Sequence, residues 1–397
     1  MATTTRTYKT SDWKIWTYVP VAGKFRLDFS TLDGSDVLSS TIGSMGQITD
    51  PITSIEISDG GQLSNGSLLP ATPSTAVISF ELLNFTKNSV KEYYNGKRII
   101  ITQPSTQTNI DYGTNAVMFE GIITDCQVNL DTQSNIAIVT ISCDSLWTAL
   151  LNQQQAITKN TTDLKGTYWF VNVWAEGATG GQYSVLGGSG VTYTSHYGTT
   201  GNVTDTLGNF LDDFLTSDTL FAAPTLTTAT NYFTSIFRFY RVSDLTTTGY
   251  ITIPGTNIYG IGIANNPADI PSNYSLTSSA GASYNSNSPV YNILGAGNNY
   301  SIGVDVLNSN ELQTIADRMS LITTGLSPVQ VSVLVARNNQ TISYDIVPTY
   351  LQDCGKAIKA DLSAWGFSST ETMYVTGRTI TVTPDDFTVS YTVTKGK

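Results

Sequence analysis

Charge is what this sequence has least of. Only 13% of its 397 residues are Asp, Glu, Lys or Arg, about half the share of an ordinary soluble domain, so its polar surface must come from Ser, Thr, Asn and Gly. The few charges lean acidic, 20 basic against 31 acidic side chains and a net charge of −11. Gripping nucleic acid takes clustered cations that neutralise phosphates. The densest gathering here is Lys97-Arg98, which reads as a solvated turn entering the strand Ile99 to Ile101. Histidine is nearly absent. His196 stands alone in the run VTYTSHYGTT with no carboxylate near it in sequence, and it reads as a solvated loop residue. A Ser or Cys triad would have to use it, and no GxSxG elbow accompanies any serine. Three cysteines, Cys126, Cys143 and Cys354, form neither a CxxC nor a Cys/His spacing, so no disulfide framework or zinc site is expected. There is no HExxH, no signal-peptide pattern and no apolar run near 18 residues, so the expectation is a chain made in the cytoplasm with no membrane span.

Apolar mass is ordinary: 40% hydrophobic and 10% aromatic residues suffice for real cores and exclude bulk disorder. Only the first ten residues, MATTTRTYKT, read as a loose end. The chain divides into three. Residues 151–300 carry 4 basic and 8 acidic side chains among long Ser, Gly, Asn and Thr stretches, which suggests a charge-poor domain inserted between two others. The expected units are 1–152, an N-terminal antiparallel β-barrel-like domain; 153–300, the Tyr/Ser/Gly/Asn-rich middle; and 301–397, a helix followed by a C-terminal β domain. The fold class is mainly β, a β-rich α+β chain with few short helices.

Period-two alternation carries that reading: Ile52, Ile55 and Ile57; Val77 to Leu82; Val117 to Ile123; Val329 to Val335; Thr379 to Val382; Phe387 to Val393. Asp131 to Asn135 supplies turn residues between two strands, which puts Cys126 and Cys143 on neighbouring strands. Three helices are predicted. Asn308 with Glu311 three positions on precedes Leu312, Ile315, Ala316 and Met319 on one face. Leu207, Phe210, Leu211, Phe214 and Leu215 keep spacings of three and four, and Cys354 to Ala364 groups Ala357, Ile358 and Leu362. No exact repeat is visible, though the two outer segments have the makings of related barrels.

Chemistry is thin. Asp212-Asp213 and Asp385-Asp386 are adjacent acids, which serve glycoside hydrolysis only when folding sets two carboxyls across a cleft; they read as a helix's polar face and a β-turn. Glu176 and Glu311 are the other carboxylates such a hydrolase would draw on. Gly187 to Gly190 and Gly295 to Gly297 lack the Lys-Ser/Thr of a phosphate loop, and Asp131 to Asn135 lacks the closing Glu of a calcium loop. No catalytic residue, metal or cofactor is expected, and the chain reads as a non-enzyme. Aromatic clustering stands out: Tyr168, Trp169, Phe170 and Trp174, then Tyr232, Phe233, Phe237, Phe239 and Tyr240. A plain β core, a subunit interface and a sugar-stacking platform all fit such clusters.

Three stretches in order carry a family resemblance. The first combines ITSIEISDGGQLSNGSLLPATPSTAVISFELLN at 52–84, YYNGKRIIIT at 93–102, and 117–152 with Phe119-Glu-Gly121-Ile-Ile123 and Asp144-Ser-Leu146. The second is YSIGVDVLNSNELQTIADRMSLITTGLSPVQVSVLVA at 300–336, and the third YVTGRTITVTPDDFTVSYTV at 374–393. In this order the chain resembles the hub proteins at the distal end of bacteriophage tails, the baseplate hub or minor tail proteins. The resemblance implies a structural virion protein made in the host cytoplasm, a homotrimer whose ring aligns with the tail-tube lumen and lets DNA pass. It implies as partners the tail tube or distal tail protein, the central fibre or spike, and the tape measure. The helix in the 300–336 stretch would run under the late β domain. The competing expectation is a receptor-binding or other carbohydrate-binding β protein.

Overall fold

The computed structural model describes residues 5–18, 45–60, 73–83, 97–109, 113–131, 136–168, 184–187, 193–218, 221–226, 235–240, 249–263, 271–287, 298–320, 328–343 and 347–394. The chain begins with β1 (Thr5–Thr7), β2 (Lys14–Tyr18), β3 (Met45–Ile48), β4 (Ile52–Gly60), β5 (Thr75–Leu83), β6 (Arg98–Asn109), β7 (Gly113–Asp131), β8 (Ile136–Ser145) and α1 (Leu146–Leu151). The middle holds β9 (Gln154–Lys159), α2 (Lys165–Tyr168), β10 (Ser184–Gly187), β11 (Gly201–Thr206), α3 (Leu207–Asp218), β12 (Phe221–Leu226), β13 (Ser235–Tyr240), β14 (Ile251–Ile253), β15 (Ile258–Ile263), β16 (Pro271–Ser278), β17 (Ser283–Asn287) and β18 (Asn298–Val304). Then come α4 (Ser309–Ser320), β19 (Pro328–Arg337), β20 (Thr341–Ser343), α5 (Val347–Tyr350), β21 (Ala357–Ala360), β22 (Glu371–Val382) and β23 (Asp386–Thr394). The fold is mainly β, with mostly antiparallel ladders.

Two barrels are built by the same device, a strand bent in the middle so that each half pairs with a different neighbour. In the first, β3 and β4 are one strand broken at residues 49–51. The ladder β4-β5-β8-β7-β6-β2-β3 therefore returns to its starting strand. In the second, β14 and β15 are broken by a single 3₁₀ turn, Gly255–Asn257, and β15-β19-β23-β22-β21-β14 closes in the same way. Residues 251–263 thus belong to the C-terminal barrel.

The barrels share two bulges at matching places. A bulge between Ile52 and Ser54 in β4 matches one between Ile258 and Gly260 in β15. A bulge between Ile123 and Asp125 in β7 matches one between Val375 and Gly377 in β22. Beside these, the Ile123 amide donates to Lys97 O at 2.9 Å and the Val375 amide to Lys356 O at 3.0 Å. A bulge re-aims its strand, and these two stand at matching places in both barrels. Inward residues at period two fill one core running through both: Ile55, Ile57, Ile78, Phe80, Val139 and Ile141 from the first, Val331, Val333, Ile380, Val382 and Val389 from the second. Cys126 lies opposite Ile141 and Cys143 opposite Ile123, and both thiols are free.

Outside the barrels, the described residues of the middle segment form three small sheets: β9 with β11, β10-β13-β12, and β17-β16-β18. In α3, Thr206 caps the Asn209 amide at 3.1 Å, and Leu207, Phe210, Leu211, Phe214 and Leu215 are buried. In α4, Asn308 Oδ1 accepts the Asn310 and Glu311 amides at 3.0 and 3.1 Å, the N-cap read from sequence.

Several expectations change. The helix predicted over Cys354 to Ala364 is instead β21 followed by a 3₁₀ turn; Ala357, Ile358 and Ala360 are buried between β14 and β22, and a strand with partners on both edges outweighs a weak helical spacing. Helix α4 packs on β16 and β17, joining Leu312, Ile315 and Ala316 to Tyr274, Leu276, Val304 and Val306, rather than under the C-terminal barrel. Residues 1–4 lie outside the described residues, and residues 5–10 are not loose: β1 pairs with β20, Tyr8 is 0% exposed, and its ring stacks on Phe387 at 6.1 Å while Trp13 meets Phe387 edge-on at 5.2 Å. The turn at 132–135 lies outside the described residues.

Candidate functional site

The barrels meet where β4 pairs antiparallel with β22, from Ile55 opposite Val382 to Gly60 opposite Gly377. One buried polar knot sits on this seam. Arg378 donates from Nε and Nη2 to Asp59 Oδ2 at 2.7 and 2.6 Å, and from Nη1 to Gln352 O at 2.9 Å. Asp353 Oδ1 stands 3.7 Å from Nη1, and Asp353 Oδ2 accepts from Lys356 Nζ at 3.0 Å. Burial alone would lower the Arg378 pKa, but Asp59 and Asp353 outweigh it and hold the pKa above its ordinary value. The Tyr391 hydroxyl donates to Tyr350 O and accepts the Gln352 amide at 3.0 Å. Burial pushes the Cys354 thiol up, away from a reactive thiolate. Gly60, at φ +64°, ends β4 where a Cβ would collide with the Thr376 carbonyl. Every charge here faces another, which suits a joint.

A second polar cluster stitches the middle segment. Lys165, 0% exposed, donates to Asp213 Oδ1 and Ser217 Oγ, each at 2.9 Å; burial lowers its pKa despite Asp213. Asp305, just after β18, accepts from Lys159 Nζ at 3.0 Å, the Gly198 amide at 3.1 Å, Thr199 Oγ1 at 3.2 Å and the Ser279 hydroxyl. Burial would raise the Asp305 carboxyl, yet Ser279 and Lys159 hold it below the usual range.

The residues singled out in sequence are dispersed. Tyr168 ends α2 half-buried, edge-on to Tyr197 at 5.7 Å, its hydroxyl accepting the Thr158 amide at 3.3 Å. Trp169, Phe170, Trp174 and Glu176 lie outside the described residues. His196 does have a carboxylate: Nδ1 lies 2.8 Å from Glu311 Oε1, supplied by α4 from 115 residues away, while Glu311 Oε2 accepts the Leu307 amide at 2.9 Å. Arg98 is half-buried and pairs with the buried Glu120 across the β6·β7 ladder. Asp385 and Asp386 sit at the β22 to β23 turn, closed by the Thr383 amide donating to Asp386 O at 2.9 Å. Among the described residues no group of three His, Cys, Asp or Glu could hold a metal ion, and no helix is long and apolar enough to cross a membrane. A polar cleft of about 570 Å³ opens beside Lys9, Gln47, Asp50, Asn338 and Pro384.

The Asp59 and Arg378 pair was missed from sequence, although strand parity carries the signal. Asp59 falls in phase with Ile55 and Ile57, and Arg378 with Ile380 and Val382, so opposite charges occupy inward positions on two strands. Buried charges require partners.

Known proteins share this fold. The tail protein from Neisseria meningitidis MC58 superposes with a TM-score of 0.57 at 12% identity, over 89% of this chain and 94% of that one. The 43 kDa tail protein of prophage MuSo2 from Shewanella oneidensis gives 0.57 at 11% identity, over 89% and 96%. The chain has the fold of phage tail proteins. It is also similar, at a TM-score of 0.51 and 8% identity, to a chain of the Francisella PdpA-VgrG complex, over 96% of this chain and 52% of that one. No family model matches the sequence, and no curated protein matches it.

Proposed function

We propose that this chain is a structural hub subunit of a bacteriophage tail tip or baseplate. It forms a trimeric ring at the distal end of the virion tail, joins the tail tube to fibre or receptor-binding proteins, and lets DNA pass. The observation that carries this reading is the end-to-end similarity of fold to two tail proteins of nearly the same extent. The seam supports it. Paired strands and a buried ion pair join the two barrels, as a connector between tail parts needs.

The outer face of the shared sheet suits a passing polyanion. One row crosses the seam through Ser332, Ser390, Thr379 and Ser58, each opposite the next. These are short neutral hydroxyls with no cation in the row, so they offer phosphates hydrogen bonds without ion pairing. The proposed unit boundaries remain 1–152, 153–300 and 301–397, with 251–263 lent to the last. The aromatic segment with Tyr168, Trp169, Phe170 and Trp174 is proposed as a contact surface for other tail proteins.

The test is symmetry and mass. Class averages of the purified chain beside light scattering should show a threefold ring of 42.8 kDa subunits. Absence of threefold symmetry, alone and with neighbouring tail proteins, rejects the hub.

A further inference from the structure

The polar cleft beside Lys9 opens where four segments meet: residues 9–13, the break between β3 and β4, the turn from β19 to β20 and the turn from β22 to β23. Its volume of about 570 Å³ falls within the roughly 300–1,000 Å³ of ordinary ligand clefts. The walls are tied to one another through the backbone. The Asn339 amide donates to Tyr8 O at 2.8 Å and the Asn338 amide to Asp385 O at 2.7 Å, and Thr10 Oγ1 donates to Thr383 O at 3.0 Å. Trp13, 1% exposed, gives its Nε1 proton to the Tyr8 hydroxyl at 3.0 Å. The cleft is therefore formed before any ligand arrives, which spares binding the cost of ordering it.

The polar side chains on those walls are uncommitted. Gln47, Asp50, Asn338 and Asn339 line the cleft, and among the described residues none of these four side chains has a hydrogen-bond or ion-pair partner. At Arg378 and Asp305, by contrast, the charges are paired inside the protein. Three of the four are primary amides, each holding donor and acceptor in one plane. Lys9 and Asp50 give the lining one charge of each sign, so no net charge selects for an ionised ligand. Pro51 and Pro384, both exposed, add apolar surface.

We propose that this cleft is a binding site for a neutral saccharide that carries acetamido groups. A side-chain amide meets an acetamido group with both of its functions, N–H to C=O and C=O to N–H. The Asp50 carboxylate accepts ligand hydroxyls in charge-assisted bonds, Lys9 donates to hydroxyl oxygens, and the proline rings cover the C–H face of a sugar ring. A phosphate ligand is disfavoured, since it would find a single cation and a carboxylate in the same cleft. The site goes beyond the hub reading and does not depend on it, because none of these groups belongs to the seam between the barrels.

Saturation-transfer NMR on the full chain tests the ligand class with N-acetylglucosamine, N-acetylgalactosamine and N-acetylmannosamine, and with glucose, galactose and mannose as counterparts lacking the acetamido group. At least one of the first three should show transfer to its acetyl methyl, and its parent hexose should bind more weakly. Asp50→Ala should weaken that binding by about tenfold, the worth of a hydrogen bond to a charged group. Asn339→Gly keeps the backbone at φ +65° while removing the amide, and should weaken binding by about threefold or more. Both variants should unfold thermally like the parent, because neither side chain holds a partner in the protein among the described residues. Silence from all three N-acetylhexosamines overturns the site, and so does binding that Asp50→Ala and Asn339→Gly leave unchanged. Variants that instead fail to join neighbouring tail proteins, with no saccharide bound by the parent, assign the cleft to a protein contact and also overturn it.

Discussion

Asp59 and Arg378 lie 319 residues apart and meet in the core with their charges paired. Removing one partner strands the other charge away from water, a loss of about 3–5 kcal/mol. Asp59→Asn and Arg378→Met should each lower stability by that amount in urea titrations, and the double variant should cost less than their sum. Asp305 is a milder case with a pH signature. Its carboxyl is held below its ordinary value, so its contribution is complete above the ordinary carboxylate range and fades as pH falls through the depressed value. Asp305→Asn should destabilise the middle segment near neutrality and flatten the acid limb of a melting-temperature profile; an unchanged limb would remove Asp305 from the acid response. At both sites the sequence showed charged residues but not their partners, because pairing across hundreds of residues depends on which strands become neighbours.

Helix α4 shows how far local chemistry reaches at the scale of an element. Its N-cap and apolar stripe were legible because capping and a 3.6-residue period act within a few positions. Asn308→Ala should cost about 1 kcal/mol and Leu312→Ala about 2–5 kcal/mol, both measured by chemical denaturation. Its location was not legible: an apolar face states that a partner exists, not that the partner is β16 and β17. The same limit explains β21. Ala357, Ile358 and Leu362 fit a helical spacing, and two flanking strands decide otherwise by taking the backbone amides of Ala357–Ala360 into a ladder.

At the scale of the molecule, the opening segment ties the two barrels together. β1 pairs with β20 beside the second barrel, Tyr8 and Trp13 pack on Phe387, and β2 then enters the first barrel. Deleting residues 1–12 should keep both barrels recognisable by circular dichroism while lowering the melting temperature. Amide exchange should rise first in β20 and β23, and rising first in β5 and β8 would refute the strap.

Composition and short-range pattern determined by themselves that the chain is β-rich, poor in charge, able to build real cores and devoid of a recognisable catalytic motif. Strand positions and both principal helices followed, because alternation, capping and turn chemistry operate over a few residues. Only the tertiary structure decided that 251–263 closes the second barrel, that β4 and β22 form the seam, and that Arg378 belongs to Asp59. The repeat between barrels was likewise hidden, since Thr124 to Leu130 and Thr376 to Val382 share parity and a bulge but few residue identities. Burial constrains which face is apolar and leaves the choice of apolar residue nearly free, so architecture is conserved between the halves where letters are not.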